Sequence, residues 1–206
     1  MIPKIIHQIH LGSKCLSELE KKWQSSWIQH HPDWKYCMWT DKCIETRLKI
    51  THPEILNTCD SFSEKSDILR FEILYQYGGL YIDTDFECLK PIDNLLNYKD
   101  FLIYRQNKKF ICGAFLASSK ANCKVKSLIN NLPCRFKTHG KRNAHLKYGP
   151  AYITDVLGLD SAIEDGSCGD KKTVYPFTHK KPLTRQQVLQ KHPESYAIHY
   201  WNKSWK

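Results

Sequence analysis

A chain of 206 residues, 41% of them hydrophobic and 12% aromatic, can bury a core of ordinary size, and no linker marks a cut into two domains. Its formal charge of +10, from 31 Lys and Arg against 21 Asp and Glu, favours anionic partners: nucleic acid, phosphorylated small molecules, anionic lipid or acidic glycan. The basic residues are scattered in clusters no larger than Lys171-Lys172 and His179-Lys180-Lys181, which does not single out nucleic acid, and no run approaches the ~20 apolar residues of a membrane span.

Residues 4–9 (KIIHQI) read as a buried strand stopped by Gly12. An amphipathic helix follows, with Leu16, Leu19, Trp23 and Trp27 on its apolar stripe, and it ends before Pro32. Residues 34–39 (WKYCMW) form a second strand, and strand, helix, strand at this spacing is a βαβ unit that implies a parallel sheet. The strongest helix covers residues 63–77, with Ser63 as N-cap, Glu64 in its first turn and Gly78-Gly79 as its stop. A strand at residues 80–82 then runs into Asp83-Thr84-Asp85. Residues 101–104 and 110–117 read as two strands joined by a polar turn at Gln106-Asn107-Lys108, and a helix with Val125, Leu128, Ile129 and Leu132 comes next. Beyond Pro133 the pattern predicts a short helix after Gly149-Pro150, a loop over residues 159–172, a strand at Val174-Tyr175 and an aromatic, polar tail over residues 198–205. The fold class expected is α/β, with a Rossmann-like, mainly parallel sheet and a small antiparallel annex.

Nine cysteines without a Cys-x-x-Cys pair show no structural zinc spacing, and no leader or anchor is seen at the N-terminus. Reduced thiols and a cytoplasmic location are the expectation, which would leave the sequon Asn202-Lys203-Ser204 silent.

The chemistry concentrates at Asp83 and Asp85. Residues two apart on a strand share a face, and these stand where an apolar strand ends, the edge at which open α/β sheets bind ligands. Paired carboxylates there offer hard oxygen ligands to Mn²⁺ or Mg²⁺. Asp67 and Arg70 lie three apart on an otherwise apolar helix, so they either pair with each other, or with Glu72 or a strand carboxylate, or line a pocket beside Asp83. His7, Gln8 and Ile9, with His10, close the first strand and are candidates for holding a nucleotide base and ribose; zinc held by His7, His10, His30 and His31 is a weaker alternative. In the tail, His199, Trp201, Ser204 and Trp205 suit either packing or a lid, with Asn202 or Ser204 reaching a metal or diphosphate and Lys203 adding charge.

Two stretches, residues 2–12 (IPKIIHQIHLG) and 65–93 (KSDILRFEILYQYGGLYIDTDFECLKPID), together with the tail HYWNKSW, resemble family 32 glycosyltransferases, the Asp-x-Asp sugar transferases that include yeast-type initiating mannosyltransferases and relatives of clostridial glucosylating toxins. The resemblance covers residues 2–118 and 198–205. It implies a single GT-A domain over 1–206, with a nucleotide-sugar and metal half at about 1–118 and an acceptor and lid part at about 119–206. It assigns Asp67 and Arg70 to the donor sugar, Tyr81 and Asp83 to the nucleotide sugar, Asp85 to the metal, and Ser204 and Trp205 to metal or diphosphate. It further implies a UDP- or GDP-hexose donor, a glycan, glycolipid or glycoprotein acceptor, retention at the anomeric carbon, no nucleic-acid partner, and room for peripheral membrane contact. Gly113 stands where many relatives carry Asn, and His10 where Trp is usual. Asp155 is a candidate for handling the acceptor. Two rival readings are a metal-dependent phosphohydrolase or nuclease, which needs further clustered carboxylates, and a non-catalytic nucleotide- or glycan-binding module on a retired transferase fold.

Overall fold

A computed structural model describes residues 1–139 and 143–202 of the chain. The apolar run after Lys4 forms β1 (Ile5–Ile9), and α1 (Glu18–His30) follows. The start of α1 is fixed by a capping box in which Ser17 and Glu20 satisfy each other's backbone N–H groups. Its buried stripe is Glu20, Trp23 and Trp27, whereas Leu19, expected on that stripe, is 52% exposed. Glu20, drawn in by the Ser17 capping box, takes the buried place in the first turn instead, and Leu16 lies before the helix. Next come β2 (Lys35–Trp39) and two short helices that the periodicity does not predict, α2 (Asp41–Arg47) and α3 (Pro53–Leu56).

The main helix, α4 (Phe62–Tyr77), is capped by Ser61 rather than Ser63; the Ser61 hydroxyl accepts from the Glu64 backbone N–H. It stops at Gly78 and Gly79, both at positive φ. A side chain at Gly79 would put its Cβ 2.5 Å from the Ile5 carbonyl oxygen, so glycine is what lets the chain pass this close to β1. From there run β3 (Gly79–Ile82), β4 (Phe86–Cys88), α5 (Asp93–Leu96), β5 (Phe101–Arg105) and β6 (Ile111–Ser118). The second half holds α6 (Cys123–Asn130), α7 (Leu132–His139), α8 (Ala144–Lys147), α9 (Pro150–Leu157), α10 (Leu159–Glu164), β7 (Cys168–Gly169), α11 (Arg185–Lys191) and β8 (Ala197–His199). The loop expected over residues 159–172 is therefore replaced by α10 and β7. Val174-Tyr175 is no strand; it follows a 3₁₀ turn at Lys171–Thr173, and both side chains are buried in the core.

Six strands form one sheet in the order β2-β1-β3-β6-β5-β7. The β1–β2, β1–β3 and β5–β7 ladders are parallel, and β6 runs antiparallel to both β3 and β5. Strands β4 and β8 make a separate antiparallel pair. One face of the sheet packs on α4, α6 and α9, and the other on α1 and the C-terminal segment. Along α4, Ile68, Leu69, Phe71, Ile73 and Leu74 are at most 2% exposed. Burial of such side chains contributes about 1.5–3 kcal/mol each, which offsets the cost of the charged Asp67 and Arg70 carried on the same helix. Among the described residues no helix is long and apolar enough to cross a membrane.

Candidate active site

The site opens at the carboxyl ends of β1 and β3. Strand β3 ends at Ile82, and its neighbour β6 holds the next residue in place, because Asp83 N–H donates to the Ala114 carbonyl at 3.0 Å. The chain then turns sharply, with Phe86 N–H donating to the Asp83 carbonyl at 3.3 Å. Gln8 Nε2 donates to that same carbonyl at 3.0 Å, and Tyr36 donates its hydroxyl proton to Gln8 Oε1. The turn that carries both aspartates is thus braced from β1, β2 and β6.

A cavity of about 810 Å³ lies over this turn. Its floor includes Asp67, Arg70, Tyr81 and Asp83, and one wall is made by Ile9, His10 and Leu11. The two readings of Asp67 and Arg70 hold together. Arg70 Nη2 lies 2.8 Å from Asp67 Oδ1 and 3.3 Å from Asp83 Oδ1, while Tyr81 donates its hydroxyl proton to Asp83 Oδ1 at 2.8 Å. The guanidinium also sits 4.7 Å over the Tyr81 ring. Burial pushes the Asp67 carboxyl up to about 7 despite Arg70, and it raises that of Asp83 as well, with Arg70 opposing and the Asp85 charge adding to the rise. Glu72, the other candidate partner of Arg70, instead accepts from the Thr51 backbone and hydroxyl.

The C-terminal segment completes the site. Strand β8 lies along β4 with Phe86 opposite His199, Tyr200 N–H donates to the Asp85 carbonyl at 3.0 Å, and Asn202 N–H donates to Asp85 Oδ2 at 2.7 Å. This brings His199 against both aspartates, and one ligand atom from each of Asp83, Asp85 and His199 falls within 4.8 Å of the others. Asp85 Oδ1 and both ring nitrogens of His199 are buried without a hydrogen-bond partner among the described residues. His199 Nε2 and Asp85 Oδ1 approach to 3.0 Å yet lack hydrogen-bond geometry. Two carboxylates and an imidazole converging with unsatisfied lone pairs form a donor set that fits a divalent cation.

The other candidates divide. Ile9 and His10 line the cavity, but His7 does not. Trp39 Nε1 donates to His7 Nδ1 at 3.0 Å, which leaves His7 Nε2 to donate to the Gly78 carbonyl at 2.8 Å. Burial lowers this imidazole to about 4, so it is a neutral brace between β1, β2 and the end of α4. Gln8 supports Asp83 from behind. His31 is likewise structural, bonded to the Trp27 carbonyl and the Ile92 N–H, and the four histidines do not gather into a zinc site. Asp155 lies off the cavity wall and pairs with Arg135 Nη1 at 2.8 Å, in a contact that ties α9 to α7. Lys203, Ser204 and Trp205 lie outside the described residues. Sequence reasoning did not place His199 among the metal ligands; its signal was a histidine in an aromatic tail whose apolar neighbours Ala197 and Ile198 mark a strand.

Gly113 has a local reason. A Cβ there would stand 2.7 Å from Ile153 Cδ1 and 2.9 Å from Arg70 Nη1, so the bare backbone makes room for the guanidinium. Both clashes are with the ends of flexible side chains. Gly113→Ala is therefore expected to cost only about 1–3 kcal/mol of stability by overpacking, while displacing Arg70 lowers turnover by tenfold or more. Chemical denaturation and steady-state kinetics check the two parts separately.

Residues 17–102 match the glycosyltransferase sugar-binding region containing the DXD motif, a span that includes Asp83-Thr84-Asp85. The chain is 34% identical over 168 residues to inositol phosphoceramide mannosyltransferase 3 of Schizosaccharomyces pombe, covering 75% of this chain and 44% of that protein. It is 37% identical over 105 residues to the mannosyl phosphorylinositol ceramide synthase SUR1 of Saccharomyces cerevisiae, covering 50% of this chain and 27% of that one. The chain thus spans less than half the length of these relatives. Among solved structures, the PaToxG glycosyltransferase superposes with a TM-score of 0.61 at 21% identity, over 80% of this chain and 74% of that one.

Proposed function

From the premise that this chain carries the DXD-containing sugar-binding region of the glycosyltransferases on a GT-A fold, we propose that it moves a hexosyl group from a UDP- or GDP-sugar to a hydroxyl of a glycan, glycolipid or glycoprotein. The observation that carries this reading is the convergence of Asp83, Asp85 and His199 beside a cavity floored by Asp67, Arg70 and Tyr81. Asp83, Asp85 and His199 would hold Mn²⁺ or Mg²⁺. When bound, the cation supplies Lewis-acid neutralisation of the charge that builds on the leaving nucleoside diphosphate.

The chain's own residues do the rest. Arg70 fixes the carboxylate of Asp67, whose remaining lone pairs accept hydrogen bonds from donor-sugar hydroxyls. Tyr81 and Arg70 together hold Asp83 Oδ1, which keeps that side chain from swinging away. Ile9 and Leu11 offer an apolar wall to the base, with His10 replacing the usual Trp. Transfer with retention follows the family resemblance. The mannosyl names of the two relatives support GDP-mannose as the first donor to try, and a glycolipid as the first acceptor. The nuclease reading has less support, since Asp83, Asp85 and His199 are the one metal-ligating group among the described residues.

Proton NMR of the protein with Mn²⁺ and single nucleotide sugars, without acceptor, tests the proposal. The expected result is slow release of free sugar from one donor. No turnover of any donor, together with no binding of UDP or GDP, would replace it with the retired binding module.

A further inference from the structure

Metal-ligating histidines usually have their second ring nitrogen hydrogen-bonded, and that bond fixes the ring. His199 departs from this, because neither of its nitrogens has a partner among the described residues although the ring is only 5% exposed. What surrounds the ring is aromatic. Phe86 stacks on it with centroids 4.5 Å apart and planes within 5°, Trp201 approaches to 4.1 Å, and Tyr175 meets it edge-on at 5.6 Å. An imidazole lone pair lies in the ring plane, so whatever sets that plane decides where a cation can sit relative to the nitrogen. Here the plane brings Nε2 to 3.0 Å from Asp85 Oδ1.

Trp201 reaches its position at a cost. Its φ of 57° lies in the left-handed region that non-glycine residues avoid. The turn is held by Asn202 N–H on Asp85 Oδ2, and by Trp201 Nε1 donating to the Phe177 carbonyl at 3.3 Å. The backbone strain is therefore localised where it presses an indole against His199.

Building on the metal reading above, we propose that Phe86, stacked on the imidazole, and Trp201, tilted against it at 46°, are positioning residues that orient His199 by ring packing, in place of a hydrogen bond that none of the described residues supplies.

Co²⁺ binding tests this, read from its visible absorption, which reports ligand type and geometry independently of turnover. Trp201→Leu is expected to weaken Co²⁺ binding by about tenfold or more, the size of effect seen for orienting partners of metal ligands, and to alter the band. Trp201→Phe, which restores a flat ring, is expected to recover the wild-type spectrum. Phe86→Leu is expected to act like Trp201→Leu, and Trp201→Leu carries the test alone if the Phe86 variant does not fold. Unchanged affinity and spectrum in Trp201→Leu would overturn this proposal alone. Failure of the wild-type protein to bind Co²⁺ would overturn it together with the metal reading.

Discussion

Asp85→Asn is expected to reduce donor turnover by at least about a hundredfold while leaving the fold intact. The expected size is that of removing one preorganised group aimed at developing charge, on the order of 10²–10³ in rate. The fold should survive because the amide oxygen of Asn still accepts the Asn202 N–H that Asp85 Oδ2 accepts now, and the Asp85 carbonyl still receives Tyr200. What the variant lacks is the negative charge at Oδ1, the buried atom that faces His199 and has no hydrogen-bond partner among the described residues. A second readout separates metal loss from general damage. A ligand that binds only the native state raises stability in proportion to the logarithm of its concentration over its Kd. Mn²⁺ with a nucleoside diphosphate is thus expected to raise the melting temperature of the wild-type protein, and to leave that of Asp85→Asn unmoved. Full turnover in the variant would sink the assigned role of Asp85.

The parts of this site that could be read from sequence are those encoded locally. A helix stopped by two glycines, an apolar strand and two aspartates at its end lie in one unbroken run, so periodicity and punctuation were enough to set Asp83 and Asp85 at one strand end and to offer Asp67 and Arg70 as neighbours, while Tyr81 entered only through the family resemblance. The β1 and β2 strands were legible for the same reason. His199 was not legible as a ligand, because strand β8 is only three residues long and its place is set by pairing with the distant β4. His7 misled in the opposite direction. A histidine at the end of a strand looks functional by position, and only the tertiary contacts with Trp39 and Gly78 reveal a core brace. Helix α10 and strand β7 failed to show because their short, polar stretches carry no usable period, and β7 gains its identity from the edge of β5. Ser61 and Ser63 both precede an apolar run, and the first capped the helix because its hydroxyl is the one that reaches the Glu64 N–H.

Arg70→Met should show the second large effect, in stability as well as in turnover. The guanidinium is the single cation between Asp67 and Asp83 among the described residues, with side-chain exposures of 6% for Arg70, 11% for Asp67 and 16% for Asp83. Removing one partner of a buried ion pair leaves uncompensated charge, at about 3–5 kcal/mol. Met keeps most of the volume, so the loss is electrostatic rather than a cavity. The pH dependence identifies it. The Asp67 carboxyl is already raised to about 7 in the folded chain, by burial first and with Arg70 pulling the other way. A carboxyl raised on folding contributes stability at low pH, and that contribution is lost as pH rises through the folded value. Without Arg70 the folded value rises further, so the variant has more to lose above pH 7. In metal-free buffer, the stability gap between wild type and Arg70→Met is therefore expected to be smaller near pH 5.5 than at pH 8.5, the difference coming from Asp67. Urea denaturation at the two pH values measures it. A gap independent of pH would mean that Arg70 acts by packing, and that its pairing with Asp67 and Asp83 contributes little to holding the donor site together.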